Sequence, residues 1–139
     1  IHKAAYKGDI PLLVSLIATC ENIDVLNYYG CSPLHLAIRG HQAEGVRLLL
    51  EAGADPDVED IVESTGQTVL HGASCLGNAE MIRYFVERGA NVRTARLNGD
   101  TALHNAARIA SAEIFSYLIE QGADVHAVNS DGETVLHVA

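Results

Sequence analysis

Positive charge is scarce in this sequence: 9 Lys and Arg stand against 18 Asp and Glu, a formal net charge of −9 over 139 residues. A surface of that sign repels a phosphate backbone instead of releasing its counterions, so general nucleic-acid binding is disfavoured. Long apolar runs are missing too. The longest charge-free apolar run, Ile10 to Cys20, includes Ser15 and Thr19 and falls short of the roughly 18 residues a membrane helix needs. Cysteine is sparse. Cys20, Cys31 and Cys75 form no C-x-x-C pair and cannot all be paired with one another, which excludes a disulfide framework and a zinc knuckle and points to a reducing compartment. The cytoplasm is the expected location, with the nucleus as the near alternative. No G-x-x-x-x-G-K-[ST] loop occurs, so nothing calls for a nucleotide. An initiator Met and a leader are absent as well: the sequence starts at Ile1 and stops at Ala139 inside an apolar pattern. It reads as an excerpt, whose lack of targeting signals is uninformative. What remains is a composition 48% hydrophobic, 19% charged and 5% aromatic, enough for one packed unit and too little to read as two domains.

The sequence is periodic. One tetrapeptide returns as Ser32-Pro33-Leu34-His35, Thr68-Val69-Leu70-His71, Thr101-Ala102-Leu103-His104 and Thr134-Val135-Leu136-His137, and Ile1-His2 is the tail of a further copy. The histidines are spaced 33, 36, 33 and 33 residues apart. A second motif keeps the same phase: Ala52-Gly53-Ala54-Asp55, Arg88-Gly89-Ala90-Asn91 and Gln121-Gly122-Ala123-Asp124. A period of 33 with T-P-L-H-x-A and a later G-A-D/N resembles the ankyrin repeat, and the resemblance covers essentially the whole chain. It implies an all-α solenoid of stacked helix-turn-helix units with projecting β-hairpin fingers. The units run approximately 1–29 (partial), 30–65, 66–98, 99–131 and 132–139 (partial).

Local chemistry agrees with that frame. Thr or Ser caps a first helix of about two turns, as in Thr101 to Ala107. A longer amphipathic stretch follows, such as Ala79 to Glu87, with Met81, Ile82, Phe85 and Val86 on one side and Glu80, Arg83 and Glu87 on the other. Gly53, Gly89 and Gly122 close these second helices, because a residue without Cβ takes the left-handed conformation freely. A unit of this size cannot bury its apolar faces alone, so neighbours supply the core. The departures from the pattern are individual. Three extra residues fall within Asp57 to Thr65, lengthening one finger. Cys20 stands where the closing glycine should, so its hairpin is expected to start irregularly. Gly8 and Gly77 hold the turn between paired helices, but His41 and Ala110 occupy the equivalent places, and those two turns are expected to be stiffer or differently angled. Neither end carries the polar outer face of a capping unit, so more array or another domain is expected on both sides.

Seven histidines invite a metal hypothesis, yet five belong to the repeat. Helices packed about 8–10 Å apart cannot bring successive rings to the roughly 2 Å that zinc requires. The resemblance instead implies that the Thr hydroxyl and His ring bond locally and to the next loop. His41 and His126 are read as surface residues. Cys75 lies one helical turn from His71, but no orienting group or oxyanion donor accompanies the pair. Asp55, Asp57, Glu59, Asp60 and Glu63 lack calcium-loop spacing and read as a solvated acidic finger. The sequence therefore assigns no catalytic, cofactor or metal residues and no enzyme activity. The sets Glu44, Arg47, Glu51 and Glu80, Arg83, Glu87 belong on a solvated convex face.

The resemblance implies that partners are held by hairpin tips and by first-helix residues lining a concave groove. By position, the candidates are Tyr28, Tyr29 and Cys31, then Arg39, then the long finger with Glu59, Asp60, Ile61, Val62, Glu63 and Ser64, then Gln67. Further on stand Cys75, Leu76, Arg96, Leu97, Asn98, Asp100, Arg108 and Ile109, followed by Ser130, Asp131 and Glu133. Adjacent tyrosines at a tip either anchor a partner or pack on the neighbouring finger. Leu76, Leu97 and Ile109 either continue an apolar strip or bridge repeats. Arg88, Arg93, Arg96 and Arg108 follow the acidic finger, an asymmetry that orients a two-signed partner or simply keeps the protein soluble. The expected function is a non-enzymatic module docking a protein or peptide, with no cofactor, no nucleic acid and no membrane insertion, monomeric as it stands. The alternative is a structural spacer within a longer array.

Overall fold

A computed structural model describes residues 1–60 and 66–138. Helices come in antiparallel pairs: α1 (His2–Lys7) with α2 (Ile10–Thr19), α3 (Pro33–Arg39) with α4 (Ala43–Glu51), α5 (Val69–Leu76) with α6 (Ala79–Glu87), and α7 (Ala102–Arg108) with α8 (Ala112–Glu120); α9 (Val135–Val138) begins another. First helices stack as α1, α3, α5, α7 and α9, while α2 packs on α4 and α6 on α8 behind them. This is a solenoid of paired helices. A single apolar core runs through it, with Leu13, Leu34, Leu49, Leu70, Ile82, Phe85, Leu103, Ile114 and Leu118 fully buried. Each side chain there contributes about 1.5–3 kcal/mol by leaving water.

The caps do two things at once. In α5 the Thr68 side chain meets the His71 backbone N–H while the Thr68 N–H donates to His71 Nδ1 at 3.1 Å, and Thr101 and His104 repeat the box in α7. With Nδ1 accepting, the proton sits on Nε2, which donates to the next hairpin. His35 reaches the Gln67 carbonyl at 3.2 Å, His71 that of Asp100 at 3.1 Å and His104 that of Glu133 at 3.3 Å. His2 makes the same kind of bond to Val25 at 2.8 Å. Burial pushes the His71 imidazole down to about 4, against smaller upward pulls from its carbonyl partners, and pushes His35 down as well. The His35 and His71 rings are neutral structural pegs.

Second helices close on Gly53, Gly89 and Gly122, all with φ between 96° and 99°. Cys20 is extended instead (φ −81°, ψ 136°), so the chain leaves α2 without left-handed strain and its hairpin starts irregularly. The turns between paired helices correct the expectation drawn from their residues. His41 and Ala110 both take φ 55°, beside 71° at Gly8 and 69° at Gly77. All four turns share one left-handed geometry, and two of them hold it with a Cβ, at a cost of about 1–2 kcal/mol each. Fingers pair sparingly. The longer one forms β1 (Glu59–Asp60) antiparallel to β2 (Gln67–Thr68), and later fingers close through single bridges, Ala95 with Thr101 and Val128 with Thr134.

Candidate functional site

The stack places hairpin tips and the last turns of the first helices along one edge, and the proposed contact residues divide there by exposure. Tyr28 and Tyr29 follow Asn27, whose Oδ1 accepts from the N–H groups of Tyr29 and Cys31 and so turns the chain tightly. The two rings stand in solvent, 97% and 72% exposed, and touch each other edge to face at 5.5 Å. Their ring contact is with one another, at the tip. Leu97 is 75% exposed and lies over Gly66 of the preceding finger. Leu76 and Ile109 are partly exposed at the ends of α5 and α7, and Ile109 also approaches Gly77. Glu59, Asn98, Ser130 and Asp131 are exposed, while Gln67 and Glu133 are half-buried. Ile61, Val62, Glu63 and Ser64 lie outside the described residues.

Three candidates are interior, which corrects their reading as surface contacts. Cys31, Asp60 and Asp100 are buried: Cys31 and Asp100 directly precede the caps of α3 and α7, and Asp60 lies in β1 opposite Gln67. The next finger covers these positions, so a polar group there must be satisfied from inside. Asp100 is satisfied thoroughly: Arg108 donates to its two oxygens at 2.6 and 3.2 Å, and Asn129 and Asn98 add bonds at 3.1 Å each. Burial alone would raise this carboxyl, but the Arg108 bond and the two amides outweigh it and hold it at about 2. Arg39 is shared between Cys31 Sγ at 3.1 Å and Asp60 at 3.3 Å. Both arginines keep an outer half in solvent.

The thiol–imidazole pair does not form a nucleophile. Burial raises the Cys75 thiol despite nearby Arg96 and Arg108, and both nitrogens of His71 are already engaged. Among the described residues no group of three or more His, Cys, Asp or Glu is placed to hold a metal ion, and no helix is long and apolar enough to cross a membrane. On the opposite face, Arg47 and Arg88 lie over the Tyr84 ring at 6.0 and 4.8 Å, and Arg83 over Tyr117 at 5.5 Å while bonding Glu113 at 2.8 Å. The solvated charges of α4 and α6 thus stitch the second helices together.

One surface feature escaped residue-type reasoning. A half-open cavity of about 140 Å³ lies between α3 and α5, where Gly72 leaves a gap beside Ile38, Val69 and Leu76. A glycine inside a first helix reads as a mere weakness; comparing it with Leu36 and Asn105 at the same repeat position is the signal that finds it.

Comparison with known proteins adds a profile described as "Ankyrin repeats (3 copies)", which matches residues 1–60 and 70–139. Ankyrin repeat and SOCS box protein 3 of Bos taurus is 34% identical over 125 residues, covering 66% of this chain and 24% of its own length. Diacylglycerol kinase zeta of Rattus norvegicus is 38% identical over 90 residues, covering 65% and 10%, and the B-cell lymphoma 3 protein homolog of Mus musculus is 37% identical over 81 residues, covering 58% and 18%. The matched stretch spans about a quarter or less of each of these relatives.

Proposed function

Since this chain belongs to the ankyrin repeat family, whose repeats generally serve as protein-interaction modules, we propose that its concave groove and finger tips dock a peptide segment or a folded protein. The observation that carries the reading is the solvent-exposed pair Tyr28 and Tyr29, supported by Leu97 on a later finger. Rigid aromatic side chains left in water are costly to keep and effective as anchors. Relatives named for a SOCS box and for diacylglycerol kinase share the repeat stretch, which supports a recognition role separable from whatever chemistry accompanies it. Partner capture from the protein's own cell lysate tests the reading, with Tyr28→Ala/Tyr29→Ala as control. Partners retained by wild type and lost by an equally stable double variant support docking. Equal capture by both, or none, favours a spacer instead, a reading supported by the imidazole ladder that ties His2 through Glu133 into one body.

A further inference from the structure

Counting from the repeating histidines isolates four positions that differ from their counterparts, and the fold brings them together. Gly72 matches Lys3, Leu36, Asn105 and Val138, Gln67 matches Cys31, Asp100 and Glu133, Cys75 matches Tyr6, Arg39 and Arg108, and Arg96 matches Asn27, Glu63 and Asn129. Around α7 these places are filled and tied: Asn105 donates to the His71 carbonyl at 3.3 Å, and Arg108 grips Asp100. Around α5 the ion pair is replaced by Gln67 and Cys75, which border the cavity opened by Gly72. Nothing in the packing demands that glycine. An added Cβ would meet Gln67 Nε2 at 3.5 Å and Ile38 Cγ2 at 3.7 Å, ordinary contacts, whereas glycine inside a helix destabilises relative to alanine.

Arg96 is the second anomaly. Asn27 and Asn129 close their turns with Oδ1, which accepts from the N–H groups two and four residues on. Arginine has no acceptor and cannot do this; Asn98 accepts from the Asp100 N–H instead. Arg96 Nε is buried without a hydrogen-bond partner, and among the described residues no carboxylate lies within ion-pair distance of its guanidinium. Its charge acts on the Cys75 thiol at the cavity rim and on His71 beneath it. Arg39, which borders the notch, and Arg108 are matched by Asp60 and Asp100, whereas Arg96 has no carboxylate partner among the described residues. Its backbone N–H donates at 2.8 Å to the Asp100 carbonyl that also accepts from His71 Nε2, which places it next to the notch.

We propose that the notch at Gly72 receives a single aliphatic side chain of a bound peptide segment while Arg96 receives a side-chain carboxylate from the same segment. This rests on the docking function proposed above and names the chemistry of its partner. The volume is suitable: apolar cavities of about 150 Å³ take up a benzene ring, the size class of a leucine or isoleucine side chain. Ile38, Val69 and Leu76 supply the apolar walls.

The test is a library of C-terminally amidated peptides carrying one Leu and one Asp at every separation, other positions randomised, screened against the full chain. Amidation leaves only side-chain carboxylates. Selected peptides are expected to weaken about tenfold when Leu becomes Ser and again when Asp becomes Asn, each factor equal to about 1.4 kcal/mol. Gly72→Leu, which copies Leu36, removes the Leu preference and keeps the Asp preference; Arg96→Gln does the reverse. Should Gly72→Leu fail to fold, Gly72→Ala gives a smaller loss in the same direction. Absence of a paired Leu and Asp preference in wild type, or its survival in folded Gly72 variants, overturns the proposal. If peptides of other composition are selected and lost on Tyr28→Ala/Tyr29→Ala, the docking function stands while this subsite falls. If neither peptides nor lysate partners are retained, both fall.

Discussion

The α5–α6 and α7–α8 pairs share one backbone plan and use it oppositely. Around α7 the groove is sealed by Arg108 and Asn129, which both donate to Asp100, and by Asn105, which donates to the His71 carbonyl. Around α5 the corresponding face keeps a cavity, a neutral Gln67, an unmatched Cys75 and an arginine with a bare Nε. The difference teaches that a repeat fixes its frame through the Thr–His box and buried leucines, which both pairs possess, and leaves the groove positions free to close or to receive.

Acid exposes the contrast most strongly. The neutral His71 ring has a folded value of about 4 against about 6.5 when unfolded, so the unfolded chain binds the proton first. Its stabilising contribution is complete above pH 6.5 and is lost as pH falls toward 4. Urea titrations are expected to show a decline of about 3 kcal/mol across that window, deepened by His35, which shifts in the same direction. Asp100 behaves differently: with a folded value of about 2, its contribution is intact above about pH 3.9 and fades only below it. His71→Gln should make the upper window shallower, leaving the part due to His35, and leave the lower one intact.

Asp100→Ala is expected to cost about 2 kcal/mol, because it takes from the buried Asn129 amide one of its two acceptors, leaving Glu133, and unties Arg108, whose outer half water rescues. A denaturation midpoint unchanged by this variant would dissolve the distinction between a sealed and an open unit. Ala110→Gly relieves the left-handed strain in the α7–α8 turn and should raise stability by about 1 kcal/mol, whereas Gly77→Ala should lower it by a similar amount; thermal melts of the pair measure both signs. The smallest effect is Gly72→Ala, expected to add about 0.5–1 kcal/mol of helix stability while partly filling the notch. Calorimetry of the variant compares that gain with the untouched Asn105 position.

Much of this was legible in advance because periodicity is a property of spacing. The histidine interval predicts paired helices, and Ala79 to Glu87 forms a helix over that same span since its apolar stripe has nowhere else to go. Direction at the fingers was not legible. Cys31, Asp60 and Asp100 belong to hairpins and so read as surface, yet the next finger covers them, and only the stacked neighbour reveals it. His41 and Ala110 hold a glycine's conformation because flanking helices over-determine the turn, a constraint with no residue-type signature. Arg96 stands out only once its structural counterparts are seen closing their turns with asparagine.

The two edges of the stack are fastened by different kinds of bond. The inner edge is sewn by directional imidazole-to-carbonyl bonds of 2.8–3.3 Å, which break if stretched by a fraction of an ångström. The outer edge is held by guanidinium groups resting on the tyrosine faces of the neighbouring helix at 5.5 and 6.0 Å, contacts that weaken gradually with distance. A bending load therefore treats the inner edge as an inextensible seam and the outer edge as a yielding one. Bending is thus expected to open the stack at its back, where the contacts weaken gradually, before its front.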